Sequence, residues 1–294
     1  MQTIKNPIEI KPEINPEIYQ RFQKISEDRS KEKVRPVSIL EAKNVVKKYN
    51  DQVVIPDLNF QIQDIEGKAE IISIIGPSGC GKSTILKMIA GLEHPTQGEM
   101  LSLGKRIEGP SLQRGMIFQK YSSFSFLNVI DNIAYPLIQI KKIKPSIAQE
   151  QAKVWVDRMY LKGAEKKYPY QLSGGMQQRV AIARTLCMDA QVILMDEPFG
   201  ALDRKIRWEM QDLIAELMFL KPAAEYTVLI VTHDIPEAVY LGDRIWVMHK
   251  GKIISEDHCE RPSEPARVAQ GRKPFQEMVS YFNEKIDHLD LVQK

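Results

Sequence analysis

EIISIIGPSGCGKSTILKMIAGL, residues 70–92, sets an apolar run, a glycine-rich turn and a helical stretch in immediate succession. Within it, Gly76 to Ser83 reads G-x-x-x-x-G-K-S, and the flanking strand and helix patterns supply the context in which this spacing binds phosphate. Glycines let backbone N–H groups curl around phosphate oxygens, and the N-terminus of the following helix adds positive potential. Lys82 is placed to neutralise the outer phosphates and Ser83 to hold Mg²⁺. The loop as a whole (Gly76, Pro77, Ser78, Gly79, Cys80, Gly81, Lys82, Ser83, Thr84) is the expected nucleotide cradle.

Further apolar runs at 115–118, 192–195, 227–231 and 245–248 each lie near a loop rich in polar residues. Buried strands alternating with helical stretches predict a parallel α/β sheet. From about 121 to 171 the composition turns helical, and Ser146 with Gln149 reads as a capping box ahead of AKVWVDRMYL. The first 36 residues alternate prolines and isoleucines and then become highly charged, which predicts a flexible extension before an ordered core near Val37. After Ser255, ERPSEPAR reads as a linker, followed by an amphipathic helix with Phe275, Met278, Val279, Phe282, Ile286 and Leu289 on one face.

With 294 residues and 43% apolar content the chain can bury a sizeable core. Its +3 formal charge, from 41 basic and 38 acidic residues, gives no field to recruit nucleic acid. Cys80, Cys187 and Cys259 form neither a disulfide framework nor a zinc pattern, which favours a reducing compartment. No stretch reaches the ~20 apolar residues that cross a bilayer, and no cleavable leader is read at the N-terminus. Any work at a membrane therefore requires another subunit to span it.

Two more segments follow the glycine-rich loop in order: LSGGMQQRVAIARTL at 172–186 and VILMDEPFGALD at 192–203. Together the three resemble the ATPase subunit of an ATP-binding-cassette (ABC) transporter. The resemblance covers about residues 38–255. It implies a P-loop NTPase fold: a RecA-like α/β parallel-sheet core, an antiparallel β portion and a helical subdomain inserted at about 121–180. The expected domains are 1–36, 37–255 and 256–294.

The resemblance implies ATP and Mg²⁺ as ligands and gives each motif a role. Asp196 orients Mg²⁺ through its water shell, and Glu197 polarises the attacking water; adjacent carboxylates at a strand end are costly unless a cation and water use them. Gln119 matches the glutamine that reaches Mg²⁺ and the γ-phosphate. His233, in VTHD after an apolar run, matches the histidine that contacts the γ-phosphate and braces Glu197. Ser173, Gly174 and Gly175 open a helix whose N-terminus suits a phosphate bound to a second copy of the chain, so a head-to-tail dimer sandwiching two ATP molecules is implied.

Several residues keep two readings at this stage. Tyr49 is either the family's adenine platform or a half-exposed strand-end tyrosine. Asp203 serves the dimer interface, caps the helix RKIRWEM, or does both. Cys80 lies where a loop and a helix N-terminus favour thiolate, or is a small residue tolerated there. Phe124, Phe126 and Leu127, in YSSFSFLNVIDN, either pack the lobe or receive a coupling helix from integral membrane permease subunits.

The wording of LSGGMQQRVAIARTL, MDEPFGALD and VTHDIPEAVYLGDRIWVM resembles the nitrate, sulfonate and taurine importer branch. That branch commonly carries Pro-Trp in the coupling region, where this chain has Ser125 and Phe126. The implied protein is a transport-coupled ATPase, cytoplasmic and peripheral on the inner face of the cell membrane, working with a permease and indirectly with a solute-binding protein. The alternatives are the ATPase of a lipid- or peptide-exporting system and a soluble non-transport cassette ATPase, though the chain lacks the coiled coil, zinc cysteines or second cassette usual in the latter.

Overall fold

The computed structural model describes residue 24 and residues 34–119, 123–200, 202–219 and 226–291. Most of the expected N-terminal extension, together with Tyr121, Ser122 and Ala201, lies outside the described residues. Two sheets organise the rest. The first has strand order β2-β1-β4-β5, built from β1 (Val34–Tyr49), β2 (Gln52–Ile65), β4 (Gln97–Ser102) and β5 (Lys105–Arg106), all antiparallel. The second, of six strands, runs β10-β9-β3-β8-β7-β6. It comprises β3 (Glu70–Ile75), β6 (Arg114–Ile117), β7 (Val192–Asp196), β8 (Thr227–Val231), β9 (Arg244–His249) and β10 (Lys252–His258). All neighbours in it are parallel except β9 and β10.

Every residue of β3 is buried because both faces of the sheet are covered. Its side chains alternate: Ile71 and Ile75 join the helical core, whereas Ile72 and Ile74 join the core under the antiparallel sheet. Each buried isoleucine contributes about 1.5–3 kcal/mol. This double anchoring fixes the C-terminal end of β3, from which the glycine-rich loop departs into α1 (Lys82–Ala90).

Helices α2 (Val129–Gln139), α3 (Pro145–Arg158) and α4 (Gly174–Leu186) fall between β6 and β7. Asn128 caps α2 by accepting from the Asp131 N–H, 2.8 Å away. The expected capping box on α3 is not formed. Pro145 occupies the first turn behind Lys144, no side chain caps the helix, and Gln149 instead donates to Asp131 Oδ1 at 2.9 Å. Proline already supplies the helical φ and removes one donor, so the cap is dispensable there.

Helix α5 (Arg204–Phe219) follows β7, and α6 (Ile235–Leu241) follows β8. The chain ends in α7 (Ala266–Ala269) and α8 (Lys273–Leu291). The α8 face read from the sequence is inward: Phe275, Met278, Phe282 and Leu289 are buried, with Val279 and Ile286 packed beside them. The stretch after Ser255 is held rather than loose. β10 continues to His258, Arg261 pairs with Asp243 at 3.0 Å, and Lys285 Nζ donates to Asp257 at 2.7 Å. Among the described residues no helix is long and apolar enough to cross a membrane.

Candidate active site

Gly76 leaves β3 with φ +148, and a Cβ there would stand 2.1 Å from the Met248 carbonyl oxygen. Only glycine permits this approach, so the first residue of the loop is fixed by β9 as well as β3. The loop then winds into α1, whose cap residue Gly81 offers no side-chain hydrogen bond to the first turn. A helix start without a side-chain cap can offer its first N–H groups to an anion. Lys82 is 7% exposed, and its ammonium donates to the carbonyls of Gly76 at 2.8 Å and Pro77 at 2.9 Å. The side chain is thus held inside the loop.

Parallel pairing of β7 between β6 and β8 brings the remaining polar groups to the same sheet edge. Ser83 Oγ donates to Asp196 Oδ1 at 2.8 Å. Burial holds the Asp196 carboxyl above the usual carboxylate range, with Glu197 adding to the effect and the Ser83 bond opposing it. The next residue, Glu197, adopts φ +46, a region unfavourable for non-glycine residues, while its N–H donates to Val231 O at 2.8 Å. That turn presents the carboxylate between two partners: Gln119 Nε2 donates to Oε2 at 2.7 Å, and His233 Nδ1 lies 3.3 Å from Oε1.

Ser83, Asp196 and Gln119 carry a hydroxyl, a carboxylate and an amide, oxygen-bearing groups suited to a hard cation. Among the described residues no group of three His, Cys, Asp or Glu is placed to hold a metal by itself. Such an arrangement suits Mg²⁺, which is usually completed by water and substrate phosphate.

Tyr49 is half-exposed, hydrogen-bonds through its hydroxyl to Glu93, and has Lys47 Nζ 4.8 Å from its ring centre. Its hydroxyl also interacts with Thr84 in α1, which puts the ring beside the glycine-rich loop. Ser173 stands elsewhere: its Oγ accepts locally from the Met176 N–H at 3.3 Å, capping α4 ahead of Gly174 and Gly175. Asp203 caps α5 by accepting from the Ile206 N–H at 3.1 Å.

For Cys80 the second of the two readings holds, a small residue tolerated in the loop. Its side chain is 7% exposed and belongs to the core under the antiparallel sheet. Burial pushes the thiol up despite Lys82, the opposite of an activated thiolate. Residues that the sequence did not single out complete the surroundings. Arg207 Nη1 pairs with Asp234 Oδ2 at 2.6 Å, tying α5 to the His233 loop. Asn132 holds the segment before α2 by donating to the carbonyls of Phe124, Leu127 and Asn128. Phe124 packs against Tyr135 and under Arg184, whereas Phe126 is 67% exposed.

The family model described as ABC transporter matches residues 56–200. The aliphatic sulfonates import ATP-binding protein SsuB of a Bacillus cereus strain is 40% identical over 260 residues, covering 87% of this chain and 98% of that protein. The chain belongs to the ABC transporter family. An uncharacterized ABC transporter ATP-binding protein, MJ0412 of Methanocaldococcus jannaschii, is 40% identical across 82% of this ABC ATPase and 91% of its own length. Among solved structures, the dimeric ATP-binding cassette MJ0796 in a post-hydrolysis state bound to ADP and Pi superposes with a TM-score of 0.64. It has 31% identity and covers 75% of this chain and 99% of that one. The ABC ATPase binds and hydrolyses ATP, and its fold is the P-loop NTPase α/β fold expected from the sequence.

Proposed function

We propose that this ABC ATPase powers import of a small anion, of the sulfonate class, through a multi-subunit membrane transporter. The observation that carries the reading is the 40% identity spanning 98% of a protein named as an aliphatic sulfonates import ATP-binding protein. A sulfate/thiosulfate import ATP-binding protein from Synechocystis, 39% identical over 229 residues, supports the small-anion class. The catalytic unit is residues 37–255 with its helical subdomain at about 121–180, preceded by an extension at 1–36 and followed by 256–294.

In this reading Tyr49 stacks on the adenine, and residues 76–84 wrap the phosphates with Lys82 on the outer two. Ser83, Gln119 and Asp196, the last through water, hold Mg²⁺. The cation supplies neutralisation of phosphate charge. Glu197 takes a proton from water as that oxygen attacks the γ-phosphorus and the bond to ADP breaks, releasing ADP and phosphate. His233 braces Glu197 and contacts the γ-phosphate. Its 3.3 Å approach to Oε1, with Gln119 on the other oxygen, is the geometry that supports these roles.

Ser173, Gly174 and Gly175 complete the site of a second copy, a reading supported by the dimeric solved relatives. ATP joins the two copies, and hydrolysis releases them. The exposed Phe126, beside Phe124 and next to Leu127 in sequence, docks the permease on the cytoplasmic face of the membrane, and a solute-binding protein delivers cargo to that permease. The test is ATPase activity of the chain co-purified with its permease and reconstituted with the binding protein. Sulfonate should stimulate turnover, and Lys82→Ala should abolish ATP binding and stimulation alike. Stimulation by polyamine but not by any sulfonate or oxyanion would overturn the cargo class.

A further inference from the structure

Glu237 lies in the first turn of α6, four residues beyond His233, and is 2% exposed although the chemistry above does not use it. Its Oε2 receives a hydrogen bond from Gln211 Nε2 of α5 at 3.4 Å, its Oε1 is shielded from solvent without a hydrogen-bond partner, and the Thr232 hydroxyl interacts with the carboxyl. A long amide contact and one hydroxyl are little compensation for a buried anion.

The surroundings form a clamp on the His233 loop. The Glu237 N–H donates to Asp234 Oδ1 at 3.0 Å, the Asp234 N–H donates to Thr232 Oγ1 at 3.0 Å, and Asp234 Oδ2 holds Arg207 of α5 at 2.6 Å. Residues 232 and 234 are therefore both fastened, one on each side of His233, whose imidazole reaches out to Glu197. Glu237 is the buried side chain joining this loop to the middle of α5.

We propose that Glu237 is a positioning residue for ATP hydrolysis: its buried carboxyl locks residues 232–234 against α5 and so keeps His233 on Glu197. The proposal rests on the roles given above to His233 and Glu197. Burial, with the Asp234 charge adding to it and Thr232, Gln211 and Arg207 opposing, pushes the Glu237 carboxyl up to about 8. Three buried or half-buried charged groups on the packed elements pair elsewhere: Asp212 of α5 with Tyr240, Glu70 of β3 with Arg244, and Lys285 of α8 with Asp257. The folded-state value lies above the unfolded one, so the clamp is intact at neutral pH and weakens as pH rises through about 8.

The experiment measures kcat and KM for Mg-ATP on the full chain from about pH 6.5 to about pH 9.5, for wild type, Glu237→Gln, Glu237→Ala and His233→Ala. Glu237→Gln, a permanently neutral isostere, is expected to match wild-type kcat at neutral pH and to lack the alkaline fall that wild type shows. Glu237→Ala is expected to lose about tenfold or more in kcat with KM little changed, since it removes the clamp and leaves the nucleotide contacts. An alkaline limb of the same size in wild type and Glu237→Gln overturns this proposal alone. Wild-type turnover in His233→Ala overturns the site reading and the proposal with it.

Discussion

Replacing Gly76 with alanine tests whether the glycine-rich loop is fixed by the strand beside it. The new Cβ would stand 2.1 Å from Met248 O and 3.1 Å from Met248 C. An ordinary carbon-to-oxygen contact is about 3.3–3.6 Å, so loop and strand must part by more than about 1 Å. β9 cannot yield cheaply, because Met248 pairs with Ile253 of β10 and the adjacent Val247 pairs with Ile75 of β3. Overpacking costs about 1–3 kcal/mol, and a strained backbone of this kind adds about 1–3 kcal/mol. At about 2–4 °C per kcal/mol for a domain of this size, the melting temperature should fall by roughly 5–20 °C. Gly79→Ala is the control: its φ is +78, but nothing lies within 4 Å of the added carbon. It should lose about 1–2 kcal/mol from backbone strain alone. The assay is calorimetry without nucleotide, which removes ligand stabilisation from the comparison, followed by titration with a fluorescent ATP analogue. Equal melting temperatures and equal affinities for the two variants would refute the steric reasoning.

Three further outcomes follow from the side-chain environments. Cys80, Cys187 and Cys259 are all buried, so a bulky maleimide should label the folded protein at least about tenfold more slowly than it labels the protein in denaturant; rapid labelling of Cys80 would contradict its core placement. Glu237→Gln should stabilise the fold relative to wild type, by an amount that grows as pH rises from about 5 to about 8 and reaches a few kcal/mol; denaturant midpoints measured across that range check it, and a constant difference would count against the buried acid. Phe126→Asp should keep both melting temperature and basal ATPase activity, since the ring is exposed, while permease docking weakens by a few kcal/mol if the ring is a buried anchor there; co-purification from detergent-solubilised membranes reads the loss.

The parallel sheet was legible because strands covered on both faces leave continuous apolar runs: β3 and β8 begin and end where the sequence reading put them, β7 runs one residue further at its end, β9 one residue further at both ends, and β6 is shifted by one residue. The antiparallel sheet was not located strand by strand. In β2 the buried residues alternate with exposed polar ones, as with Leu58, Phe60, Ile62 and Asp64, a weaker signal interrupted by Pro56. Ser146 and Gln149 have the spacing of a capping box, but Pro145 had already set the helix start. The candidate catalytic residues stood out because each ends an apolar run on a polar residue, and the fold brings Gln119, Glu197 and His233 within contact. Of the two readings of Cys80, the thiolate gave way to the tolerated small residue because burial, which the sequence does not display, raises its pKa. Arg207, Asn132 and Glu237 carried no local signal, since each acts through partners on other elements.

The most direct test of the composite ATP site is the mass in solution of Glu197→Gln, by light scattering, with and without Mg-ATP. Removing the proposed general base should reduce turnover by about 10² or more while leaving ATP bound. With ATP the mass should double, and adding Ser173→Arg should return it to that of one chain, because the arginine fills the space where the partner's γ-phosphate must sit against the start of α4. A mass that is the same with and without ATP, or a dimer that survives Ser173→Arg, would contradict a site shared between two copies.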